Sequence, residues 1–91
     1  MTQRPRKLLE FAAVEQFTSE LAALFQDPGL ADDAASTIEW ALIRRPDEGI
    51  AIPREPIWIY PLVIEGQEYV VFYQWEDHDK VELLSIRPGI E

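Results

Sequence analysis

The chain has 91 residues, no cysteine, and eight Lys and Arg against seventeen Asp and Glu, for a formal net charge of −9. That length is one domain's worth of chain, read as a single domain over residues 1–91, and the missing thiols exclude a disulfide framework or thiolate-held zinc. A secreted domain this small would usually need such staples, so the composition implies a cytoplasmic setting. The acidic balance disfavours an extended grip on RNA or DNA, which is neutralised by clustered cations.

The N-terminal stretch Met1 to Lys7 is basic, but Glu10 interrupts the apolar residues behind it, so it reads poorly as a signal peptide. Residues Arg6 to Ala13 fit either a helix or a short edge strand. From Val14 to Phe25 the apolar positions Val14, Phe17, Leu21, Leu24 and Phe25 recur at helical spacing. No Ser, Thr, Asp or Asn caps a helix starting near Val14. Asp27-Pro28-Gly29 is read as the stop of this first helix. A second helix is expected from Asp32 or Asp33 to Arg45, with Ala34, Ala35, Ile38, Ala41 and Leu42 on one face. Arg44 and Arg45 suit its last turn, where cations favour the helix dipole. Pro46 to Gly49 ends it, and Ile50 to Pro56 is a loop stiffened by Pro53 and Pro56.

Beyond Pro56 the period changes from 3.6 to 2. Ile57 to Ile64 and Glu68 to Trp75 read as strands joined at Glu65-Gly66, a tight hairpin whose glycine supplies positive φ. Glu76 to Asp79 makes the next turn, and Lys80 to Arg87 is the third strand of an antiparallel meander. The expected fold class is therefore α+β: a short N-terminal strand, two helices, then three antiparallel strands. With Ile64 paired to Gln67, one face carries Trp58, Tyr60, Leu62, Tyr69, Val71 and Tyr73. A four-residue second turn adds Leu84 and Ile86 to that face. The opposite face receives Ile57, Ile59, Val70, Phe72, Gln74, Val81, Leu83, Ser85 and Arg87. Two helices cover one face of such a sheet, and the aromatic face is the expected covered one. Ile59, Val70, Phe72, Val81 and Leu83 then form an apolar surface to be covered either by a partner or by the N-terminal segment or the proline loop folding over it.

The order of these pieces resembles the RelE/ParE superfamily of toxin–antitoxin toxins. The likeness rests on Ala41 to Gly49 as a helix end with Pro and Gly, on Tyr69-Val70-Val71-Phe72-Tyr73, and on Val81 to Arg87 as a closing strand with a basic end. It implies a first strand near Lys7 to Phe11. It also implies a toxin of a plasmid-stabilisation type, held by an antitoxin or paired as a homodimer through the open sheet face, with gyrase or the ribosome as target. RelE-type toxins cut ribosome-bound messenger with cations on the sheet, and here Arg87 matches such a cation, with Arg54 and Arg45 as further candidates. Val70 stands where the family carries a strand arginine, and Ile57 to Ile64 has no Lys or Arg. The resemblance thus implies action by protein binding rather than messenger cleavage.

Other chemistry is weakly supported. Glu76-Asp77-His78-Asp79 holds the sole histidine beside three carboxylates, but a hairpin turn of this kind is usually solvated charge. Ser19, Ser36 and Ser85 lack a nucleophile-elbow context, and the four glycines form no phosphate loop. No cofactor or metal is expected.

Overall fold

The computed structural model describes residues 10–44, 46–77 and 80–89. In chain order these form β1 (Glu10–Ala13), α1 (Glu15–Leu24), α2 (Pro28–Arg44), a 3-10 turn (Pro46–Glu48), β2 (Ile50–Ala51), β3 (Ile57–Ile64), β4 (Gln67–Asp77) and β5 (Lys80–Pro88). The strands make one five-stranded sheet in the order β1-β5-β4-β3-β2. β1 runs parallel to β5, and every other neighbouring pair is antiparallel. This corrects the expected three-strand antiparallel meander to a five-stranded mixed sheet.

Two short strands account for the difference. β2 falls in the segment read as a proline-stiffened loop, where Ile50 pairs with Ile59 and Ala51 with Trp58. Two residues are too few to show a period of 2. β1 is also short and is displaced from the expected Lys7 to Phe11, pairing Phe11 with Val81 and Ala13 with Leu83. Lys7, Leu8 and Leu9 lie outside the described residues.

The helices depart from expectation at one junction. Asp27-Pro28-Gly29 begins α2 rather than closing α1. The Gly29 N–H donates to Asp27 Oδ1 at 2.8 Å, and the Ala31 N–H donates to the Asp27 carbonyl at 3.0 Å. Asp27 therefore acts as the N-cap and Pro28 takes the first helical position, where its missing N–H costs nothing. α1 starts without a side-chain cap, as expected from Val14. Instead the Val14 N–H donates to the Leu83 carbonyl at 3.1 Å, which ties the helix start to β5.

The β3–β4 hairpin has the expected register, with Ile64 opposite Gln67. Glu65 and Gly66 both have positive φ, 53° and 80°, the pairing that a two-residue turn of matching twist requires. Phe17, Leu21 and Phe25 from the α1 side and Ala34, Ile38 and Leu42 from α2 pack on Tyr69, Val71, Tyr73, Val81, Leu83 and Ile86. Trp58, Tyr60 and Leu62 of β3 pack on this core and are partly buried. Both helices thus lie on one side of the sheet.

Candidate functional site: an open sheet face

Side chains alternate across a strand, so the residues between the core positions point away from the helices. On β3 these are Ile57, Ile59, Pro61 and Val63; on β4 they are Glu68, Val70, Phe72 and Gln74. Pairing arranges them in rows. Ile50, Ile59, Phe72 and Ser85 are successive partners across the sheet, as are Pro61, Val70 and Arg87. Ile57, Ile59, Val70 and Phe72 are half-buried among themselves, while Ile50 and Val63 are 63% and 59% exposed. Between β3 and β4 a shallow hollow is lined by Pro61, Val63, Glu68, Val70 and Gly89 among others.

Of the residues expected to form the open surface, Ile59, Val70 and Phe72 are brought together there. Val81 and Leu83 are not. They are 0% and 2% exposed, packed beneath the helices. The reason is a pair of register shifts. Phe72 pairs with Ser85 and Tyr73 with Leu83, which leaves Leu84 as an extra residue in β5, and a second irregularity separates Gln74 from Asp77. Each extra residue in one strand reverses the facing of every side chain beyond it. A simple alternation therefore assigns Ile86 correctly and Val81 and Leu83 to the wrong side.

The expected cations do not converge. Arg87 sits on the open face at the β5 edge of its row. Arg54 is exposed in the β2–β3 loop, with a left-handed φ of 69°. The row of Arg87 and the row of Ile57, beside that loop, are four residues apart along β3, or about 13 Å, and two strand spacings add about 10 Å across the sheet. Arg45 lies outside the described residues, as does His78. Among the described residues, no group of three or more His, Asp or Glu side chains could hold a metal ion.

Arg87 belongs to a polar chain that passes the edge of the sheet. Its Nε donates to Ser85 Oγ at 3.3 Å, and its guanidinium carbon lies 5.8 Å from the centroid of the Phe72 ring. The Ser85 hydroxyl in turn donates to Glu20 Oε1 at 2.7 Å, and the Ile86 N–H donates to the same oxygen at 3.0 Å. β1 ends opposite Leu83, so the next stretch of β5 has no strand beside it. The Glu20 carboxylate from α1 takes the place of that strand for Ile86. The Ser85 hydroxyl, with the Ile86 N–H, the Gln16 amide and the Arg87 charge, holds the Glu20 carboxyl below its usual 4.5 against the opposing effect of burial. Sequence reading missed Glu20. Its one signal is its place beside Phe17, Leu21 and Leu24 on the apolar stripe of α1.

No family's sequence pattern matches the chain, and no curated protein matches it. Among solved structures it is similar to TrmO from P. aeruginosa, with a TM-score of 0.58 and 20% identity, over 94% of this chain and 36% of that one. The chain thus spans about a third of the length of that structure, and at this identity the likeness concerns the fold. It places the fold beside TrmO and corrects the expected RelE/ParE membership. The toxin–antitoxin role, plasmid stabilisation and messenger cleavage that the resemblance implied fall with it. Among the described residues, no helix is long and apolar enough to cross a membrane.

Proposed function

We propose that this domain works by docking onto another protein through the open face of its sheet. The observation that carries the reading is the apolar cluster of Ile57, Ile59, Val70 and Phe72 on the side opposite both helices. At about 25 cal/mol per Å² of apolar surface, leaving such side chains wet forgoes several kcal/mol that a partner recovers by covering them. The charge of −9 supports a protein partner over a nucleic acid, whose phosphates it repels.

Site-specific photo-crosslinking in cells tests it. A photo-reactive side chain at Phe72 is expected to give a discrete protein adduct, and the same group at exposed Thr37 of α2 is expected to give none. Adducts that are nucleic acid, or equal labelling from the two positions, would overturn the proposal.

A further inference from the structure

We infer that the segment docking on this face belongs to a different protein and presents an Asp or Glu carboxylate to Arg87. This rests on the proposed docking role and adds the chemistry of the partner. An arginine needed merely for packing covers an aromatic ring with its stem and leaves its charged end to the water. Arg87 is held more closely than that. Ser85 Oγ takes the Nε hydrogen bond, Glu20 fixes Ser85, and the Phe72 ring lies beneath the guanidinium carbon. Ser85 itself is 6% exposed, so the anchor is built into the sheet.

With Nε engaged, the two terminal nitrogens remain as an end-on fork. Among the described residues they meet no hydrogen bond or ion pair. A planar fork in a fixed orientation matches the two oxygens of a carboxylate. The neighbours in its row, Val70 and Pro61, are apolar. Any chain that covers Val70 and Phe72 strips water from Arg87 as well. The Glu20 carboxylate reaches Arg87 only through Ser85, on its Nε side. Covering the face therefore leaves the two terminal nitrogens without water or partner unless the covering segment brings acceptors of its own, and a carboxylate matches both at once. One carboxylate within an apolar segment meets this need. A phosphate backbone would bring its whole charge against a chain of −9, and a second copy would bring another −9.

The test places the photo-reactive group at Val63, which borders the hollow, and identifies the attached partner peptide by mass spectrometry. The peptide is expected to come from another protein and to carry Asp or Glu within a few residues of the attachment. Arg87→Ala is expected to lower the adduct yield about tenfold or more, the usual range for a charge-assisted hydrogen bond. Arg87→Lys, which keeps the charge but not the fork, restores part of it, and Glu20→Gln lowers the yield less than Arg87→Ala does. A peptide without a carboxylate, a peptide from this same chain, or a yield indifferent to Arg87→Ala overturns the inference. Protein adducts at Phe72 that ignore Arg87 would leave the docking role standing while removing the carboxylate. No protein adduct at either position removes both.

Discussion

The phenol of Tyr73 lies at the middle of β4 with no exposure to solvent. Burial, foremost, raises its pKa from the usual 10.0 to about 12, against a hydrogen bond with the Gly49 backbone that favours the phenolate. A folded pKa above the unfolded one means that the fold favours the protonated phenol. Stability is therefore level below pH 10 and falls as pH rises from 10 towards 12. Tyr73→Phe is expected to flatten that alkaline limb in chemical denaturation measured across the range. Gly49 is fixed by the same contact. A Cβ there would lie 2.5 Å from the Tyr73 hydroxyl and 2.8 Å from the Ile59 carbonyl oxygen. Gly49→Ala is expected to cost about 1–3 kcal/mol in urea unfolding, the usual toll of overpacking.

Glu20 gives the opposite sign. Its folded pKa is depressed, so its contribution is fully present above its usual 4.5 and is lost as pH falls through the lower folded value. Glu20→Gln is expected to weaken the fold at neutral pH and to flatten the acid limb of the stability curve. Neither residue announced itself in the sequence. Tyr73 read only as an aromatic on the expected covered face, and Glu20 was assigned no role, because their partners Gly49 and Ser85 are distant along the chain and adjacent only in the fold.

At the scale of elements, legibility followed the length of the periodic signal. The eight residues of β3 and the hairpin at Glu65-Gly66 were readable because alternation and a turn residue agree there. The face assignment of β5 was not, because one extra residue at Leu84 leaves no mark in an apolar run such as Leu83-Leu84. Deletion of Leu84 tests this directly. Removing it takes out the bulge and forces either Val81 and Leu83 or Ile86 off the core side. The variant is expected to lose its cooperative unfolding transition. A variant with wild-type stability would show that the bulge is dispensable. The start of α2 makes a smaller point of the same kind: Asp-Pro-Gly serves as readily to open a helix as to close one. Asp27→Ala is expected to cost about 1 kcal/mol, the usual value of an N-cap.

At the scale of the whole molecule, the helix and strand segments were legible in outline, and the sheet's full membership was not. The parallel pairing of β1 with β5 joins the two ends of the described chain, and nothing local encodes it. The open face was legible in part. Ile59, Val70 and Phe72 came from the hairpin register, whereas Val81 and Leu83 required the bulges. Among the described residues the architecture is one-sided, with helices and aromatic residues sealing one surface of the sheet and an apolar surface with a braced arginine on the other.

Phe72 and Tyr73 are neighbours on β4 with side chains on opposite faces, which makes them the sharpest probe of that one-sidedness. Urea unfolding of Phe72→Asp and Tyr73→Asp compares the two faces in one strand. Tyr73→Asp is expected to lose more than about 4 kcal/mol or to fail to fold, as a buried uncompensated charge does. Phe72→Asp is expected to keep a cooperative transition and lose less than about 2 kcal/mol, since its face is open and Arg87 stands beside it. Equal, severe losses at the two positions would mean that both faces are sealed within one chain, and the docking surface would not exist.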